Sequence, residues 1–204
     1  MPMFGAMVAC ILLLNLVAMW RWEVILRGLG ITLPSMRLLK FTAIGLFFNQ
    51  TIPSGVGGDV FRVVLVHQDG VPLRLAATSV MLDRIAALVA LIAFVAFGSV
   101  ILLQMLHYNF VAWLIVAMTG AGIAGIGFLL VLHRLSPSIE NMARALPARV
   151  HSVAMRGLSV LTDVSRDGCR IAFNWRTGPA VFGLSLFNQV ALGGIVFLAA
   201  SALH

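Results

Sequence analysis

Phe47-Phe48-Asn49-Gln50-Thr51-Ile52-Pro53-Ser54-Gly55-Val56-Gly57-Gly58-Asp59-Val60-Phe61-Arg62 is the stretch on which the fold turns. It closes a charge-free run, Phe41 to Gly58, of eighteen residues. By length alone that run approaches the roughly 20 residues a membrane crossing needs. Pro53 removes a backbone donor, and the glycines at 55, 57 and 58 weaken any helix through them. The piece before Pro53 is only about twelve residues, too short for about 30 Å of hydrocarbon at ~1.5 Å per residue. Asp59 to Val66 is shorter still. Irregular backbone at membrane depth is tolerated only inside protein or beside water. Two arrangements fit: a re-entrant helical hairpin over about 41–66, or an extramembrane loop after a short interfacial helix. The hairpin is the more economical.

Composition places that stretch in a membrane. Of 204 residues, 61% are hydrophobic and 10% charged. A soluble domain has roughly 45–50% apolar residues and about 25% charged ones. A soluble globular domain is therefore excluded, as are disorder and a disulfide scaffold. Cys10 sits in an apolar run and Cys169 in a basic segment, so no disulfide is expected. No Cys/His cluster points to a metal, and no cofactor is implied.

Four apolar runs read as full spans, at about 3–22, 80–106, 110–132 and 179–203. Trp20-Arg21-Trp22 at the end of the first is read as a membrane–water boundary. A signal peptide is disfavoured there, because no basic region precedes the run and no cleavage site follows. Ala117, Ala121 and Gly125 give the third run a small-residue face suited to close helix packing. The fold class expected is thus an all-α integral membrane bundle with about four full spans, one re-entrant hairpin and a cytoplasmic amphipathic helix. The whole chain, 1–204, forms one transmembrane domain.

The charges test this layout. Fourteen basic residues against seven acidic give a net charge of +7. They fall in three blocks, Arg21 to Lys40, Arg62 to Arg84 and Arg134 to Arg176. If 41–66 enters and leaves by one face, all three blocks share a side. The positive-inside rule then makes the basic loops cytoplasmic and puts both chain ends outside. Binding to nucleic acid is not expected, since anionic lipid headgroups account for the basic loops. Within 134–176, Arg149, Ser152, Arg156, Ser159, Asp163, Arg166 and Arg170 recur at steps of three and four. Val150, Val153, Leu158, Leu161 and Val164 oppose them, the pattern of an amphipathic helix along the interface.

Chemistry-bearing residues gather around the glycine turn. A glycine turn leading into a half-helix presents free N–H groups that favour an anion. Asp59 is placed to act as N-cap of that half-helix. Arg62 lies one turn on and offers a forked donor to a phosphodiester. Asp83-Arg84 begins the next span. Ionised groups near hydrocarbon are usually paired, so Asp59 with Arg84 and Asp83 with Arg62, or the reverse, are the expected pairings. Adjacent Asp83 and Arg84 point about 100° apart on a helix and serve different contacts. A salt-bridge knot and a lipid-headgroup site both fit. No hydrolase, metalloprotease, P-loop or dinucleotide motif is present.

The run F-N-Q-T-I-P-S-G-V-G-G-D-V-F-R, with V-M-L-D-R about twenty residues later, resembles the lysylphosphatidylglycerol synthase transmembrane (flippase-like) family. Arg21-Trp22 is similar to that family's arginine–tryptophan position. The resemblance assigns Asn49, Pro53, Gly57, Gly58, Asp59, Arg62, Asp83 and Arg84 to motif positions, with Gln50 where a second asparagine is usual. Family members have a further span before the arginine–tryptophan element and a second Gly-Gly hairpin later, which these 204 residues lack. The family's soluble aminoacyl-transferase domain has no counterpart either, so aminoacyl transfer is not carried over.

What the resemblance implies is a bacterial inner-membrane protein that binds a phospholipid or lipid-linked headgroup and moves it between leaflets. Asn49, Ser54, Gly57, Gly58, Asp59, Arg62, Asp83 and Arg84 form the expected headgroup site, without catalytic or metal-binding residues. Arg62 and Arg84 would hold phosphate. Asp59 and Asp83 would hold a cationic group or orient the arginines. Asn49 and Ser54 would hydrogen-bond the headgroup. A homo-oligomer or a membrane partner subunit stays open. Rival readings are a non-transporting accessory subunit or truncated member, a lipid-modifying enzyme using Asp59, Asp83 or His67, and an ion pathway, which the arginines disfavour.

Overall fold

The computed structural model describes residues 2–51, 57–105, 117, 120, 124, 164, 166–172 and 174–201. Most of the span expected at 110–132, most of the segment 134–176, and Pro53, Ser54 and Gly55 lie outside them. Among the described residues every regular element is helical. Helix α1 runs Pro2–Gly28, α2 Ser35–Thr51, α3 Gly57–Gln68, α4 Leu73–Met105 and α5 Thr177–Ser201. Residues 166–172 are also helical, within the segment read as amphipathic.

Three of these helices are long and apolar enough to cross a membrane: Val8–Gly28, Leu73–Gly98 and Thr177–Val196. They match three of the four spans read from sequence. Most of their surface faces outward, with Ile11, Leu12, Leu88, Phe97, Phe187 and Val196 all exposed. In water such surface would be strongly unfavourable, whereas lipid accepts it.

The breaks between helices follow from a few residues. At the end of α1, Ile31 N–H donates to Leu26 O and Gly30 N–H to Arg27 O. Gly30 has φ +81°, the left-handed conformation this helix stop needs. Gly70, at φ +91°, ends α3 in the same region of backbone space. Pro34 and Pro72 then open the next helices, their carbonyls accepting from Leu38 and Ala76 N–H.

The first span extends past its expected end near residue 22. Trp22 is fully buried and Arg21 nearly so. Both side chains face the interior of the bundle, where an ion pair to α4 holds Arg21.

Helices α1 and α4 both pack on α5, while α2 and α3 lie against each other as a hairpin, with α3 on α4 and α2 on α1. One core cluster joins Leu26 of α1, Leu38 of α2, Val66 of α3 and Ala76 of α4. A second joins Ile25, Leu82, Ile171 and Val181. The C-terminal ends of α1 and α3 and the N-terminal ends of α2, α4 and α5 therefore lie together at one end of the bundle. The hairpin leaves and returns at that end, and Arg37 of α2 pairs with Asp69 beyond α3 across its base.

Candidate functional site: a buried ladder of charges

Glycines hold the hairpin tight enough to build a site. A Cβ added to Gly58 would meet the Asn49 side chain at 2.7 Å and come closer still to Gly45 O. One added to Gly45 would meet Cγ of Arg62 at 3.0 Å. Hydrogen at position 58 lets α2 and α3 approach this closely, while a methyl at 45 would make Arg62 give by a few tenths of an ångström. Asn49 Oδ1 accepts the Gly58 N–H at 2.9 Å, so α2 satisfies a donor that opens α3. Asp59 was expected to cap this helix. It lies instead within the first turn, and its carboxylate faces Arg84. Phe48 and Phe61 stack with ring centroids 3.6 Å apart.

Five ionised side chains then alternate in sign across three helices. Arg84 donates to Asp59 through Nε at 2.7 Å and Nη2 at 2.5 Å, a two-point contact. Asp59 also faces Arg62 Nη1 at 3.8 Å. Arg62 Nη1 reaches Asp83 Oδ2 at 3.3 Å, and Arg21 Nε donates to Asp83 Oδ1 at 2.8 Å. The far end is anchored on α5, where Arg21 Nη1 donates to Ser185 Oγ at 3.3 Å. Both expected pairings, Asp59 with Arg84 and Asp83 with Arg62, are present. Adjacent Asp83 and Arg84 do serve separate contacts.

Arg62 is the least satisfied member. Both of its carboxylate contacts use the same nitrogen, Nη1, while its buried Nε has no hydrogen-bond partner. Its guanidinium carbon lies 3.9 Å from the Trp22 ring centroid. The ring face supplies negative quadrupole where a further hydrogen bond is missing. Trp22 is itself pinned, its Nε1–H donating to Ser79 Oγ at 3.3 Å and Ser79 in turn to Ala76 O.

Of the residues read as a site, Asn49, Gly57, Gly58, Asp59, Arg62, Asp83 and Arg84 come together around the hairpin and α4, and Ser54 lies outside the described residues. Sequence reasoning missed Arg21, Trp22, Ser79 and Ser185 as parts of the same network. Arg21 carried a usable signal: an arginine in an apolar helix, placed before a further acid-bearing turn, needs a carboxylate partner. The two serines had none, because serine is common in spans for packing reasons. No group of metal-ligating side chains occurs among the described residues.

The model of one protein family, the lysylphosphatidylglycerol synthase TM region, matches residues 1–204. No curated protein and no solved structure matches the chain. Helices of spanning length, a hairpin closed on Gly45 and Gly58, and a family match over the full sequence agree: this is a multi-pass membrane protein that belongs to the lysylphosphatidylglycerol synthase TM region family.

Proposed function

We propose that the α2–α3 hairpin is re-entrant, and that the charge ladder binds the phosphate of a lipid headgroup which the protein moves between leaflets. The observation that carries this is Arg62: a buried arginine on the hairpin, engaged through one nitrogen, with a second donor unpartnered. A phosphodiester offers acceptors that would complete it.

Three features support the hairpin's place in the bilayer. Ile44, Phe47, Val60 and Val64 point outward from it and are exposed, where a hairpin in water would carry polar groups. Helices α2 and α3, with 17 and 12 residues, span about 26 and 18 Å at 1.5 Å per residue, short of roughly 30 Å. Both helices have their open ends at the basic end of the bundle. By the positive-inside rule that end is cytoplasmic and the chain ends are outside, in a bacterial inner membrane.

In this reading Arg62 and Arg84 bind phosphate, while Asp59 and Asp83 hold the arginines in place or accept a cationic group. Gly57 and Gly58 allow close approach. Asn49 keeps the hairpin closed through Gly58, and Ser54 keeps its assignment as a headgroup contact. The protein acts as a transporter, not an enzyme, with membrane lipid as its partner and no cofactor. Arg62→Ala tests it: lipid translocation in reconstituted vesicles should be lost while the protein still elutes as a folded, monodisperse species. Unchanged translocation would overturn the assignment.

A second reading, a non-transporting accessory subunit, is favoured by the ladder's own closure, since Asp59 and Asp83 already engage all three arginines. Purified protein that moves no lipid, yet co-purifies with a membrane partner in fixed ratio, would select it.

A further inference from the structure

Helical hydroxyls in this bundle are commonly tied back to their own backbone. Thr51 donates to Phe47 O, Ser79 to Ala76 O and Ser185 to Val181 O, each about one turn earlier. That bond is how an apolar helix accommodates a hydroxyl. Thr42 of α2 departs from the pattern. The residue is 7% exposed, and its buried Oγ1 has no hydrogen-bond partner among the described residues. A buried polar atom left unpaired is unfavourable, and in a native fold it calls for an explanation other than packing.

The hairpin's packing places Thr42 beside the other such atom, Nε of Arg62. Leu38, Thr42 and Gly45 are buried on α2, and with Asn49 they recur at steps of four, three and four, which is one helix face. Gly45 and Asn49 of that face meet α3 at Arg62 and Gly58. A Cβ added to Gly45 would lie 3.1 Å from Cδ of Arg62, the atom that carries Nε. Residues three apart on a helix have Cβ atoms about 5–6 Å apart. One oxygen atom spans such a separation with two hydrogen bonds of about 2.8–2.9 Å.

We infer that Thr42 is a further headgroup-binding residue, its hydroxyl and Arg62 Nε–H both donating to one phosphate oxygen of the bound lipid. This rests on the phosphate-binding reading above and adds a neutral donor on the hairpin's other arm. Arg62 brings the charge, Thr42 fixes where the oxygen sits, and α2 and α3 then hold the same phosphate. The hydroxyl is unpaired in the lipid-free protein and paired when lipid is bound. It therefore lowers the stability of the free protein and raises affinity, a trade of stability for function.

Thr42→Val separates the two effects, because it exchanges the hydroxyl for a methyl of nearly the same shape. Without lipid, the purified variant in detergent should melt at a higher temperature than the unaltered protein. In calorimetric titration with dihexanoyl phosphatidylglycerol it should bind about tenfold more weakly, as expected for one lost hydrogen bond to a charged group. Thr42→Ser keeps the hydroxyl and should bind as the unaltered protein does. Thr78→Val is the control. Thr78 Oγ1 is also buried and unpartnered, but Thr78 shares a face of α4 with Leu82, which packs in the cluster of Ile25 and Ile171. That variant should bind the probe with unaltered affinity. Full affinity in Thr42→Val, or the same weakening in Thr78→Val, would overturn the role of Thr42 and leave the phosphate-binding reading standing. A lower melting temperature for lipid-free Thr42→Val would mean that the hydroxyl is already engaged in the free protein, and would also overturn it. No binding of the probe by the unaltered protein would overturn both readings. Inorganic phosphate bound as tightly as the probe would overturn the lipid as the source of the phosphate.

Discussion

The guanidinium of Arg62 stacks on the indole of Trp22, 3.9 Å above the ring centroid, and so ties the hairpin to the first span. The two residues lie on α3 and α1, and no other aromatic ring among the described residues receives Arg62. Trp22 sits against the guanidinium where water would otherwise solvate it, and a desolvated contact of this kind contributes up to about 2 kcal/mol. Arg62→Lys keeps the charge but loses the planar fork and the flat stacking surface. That variant should fold and yet translocate lipid at a rate closer to Arg62→Ala than to the unaltered protein. Full activity in the lysine variant would mean that charge alone suffices.

Asp83 and Asp59 should differ sharply when neutralised. Asp83→Asn strips the carboxylate from two buried arginines, a loss on the order of 3–5 kcal/mol for a broken buried pair. Asp59→Asn mainly releases Arg84, half of whose side chain is exposed. A rim pair of that kind contributes about 0–1 kcal/mol. Thermal unfolding in detergent should therefore fall steeply for Asp83→Asn and little for Asp59→Asn. Equal losses would contradict the burial gradient along the ladder.

The hairpin's closure predicts a strong glycine effect at position 58. Gly58→Ala forces a methyl onto Gly45 O and the Asn49 side chain. Separating α2 from α3 to fit it should cost about 1–3 kcal/mol. Gly183→Ala, with nothing within 4 Å of the new carbon, is the control and should be neutral or slightly stabilising. Asn49→Leu, which leaves the Gly58 N–H without its acceptor, should lose about 1–3 kcal/mol. Melting temperatures of the three variants, measured side by side in one detergent, check this ordering.

Much of this was legible in the sequence because the physics involved is local. Pro53 and the glycines near it divide a charge-free run into pieces too short to cross, and two helices are found, one ending at Thr51 and one beginning at Gly57. Asp83-Arg84 at the start of a span demanded partners, and Asp59 and Arg62 on the preceding half-helix offered an acid and a base. The extent of α1 was not legible. Trp20-Arg21-Trp22 was read only as an interface, and the three-dimensional position of Asp83 shows that Arg21 points into the bundle. Asp59 misled for a similar reason: Gly-Gly-Asp is a good capping pattern, but capping from the neighbouring helix by Asn49 depends on a contact nine residues away. Ser185, 164 residues from Arg21, could not be linked to it by any sequence pattern.

A re-entrant α2–α3 hairpin lies within the bilayer and leaves its two flanking helices, α1 and α4, emerging on one side. The direct measurement is labelling by a membrane-impermeant maleimide, in cells with Cys10 and Cys169 replaced, of single cysteines at Arg27, Phe47 and Arg74. Arg27→Cys and Arg74→Cys should react only from the cytoplasmic side, while Phe47→Cys should resist the reagent from both sides until detergent is added. Reaction of positions 27 and 74 from opposite faces, or of position 47 as readily as its neighbours, would contradict it.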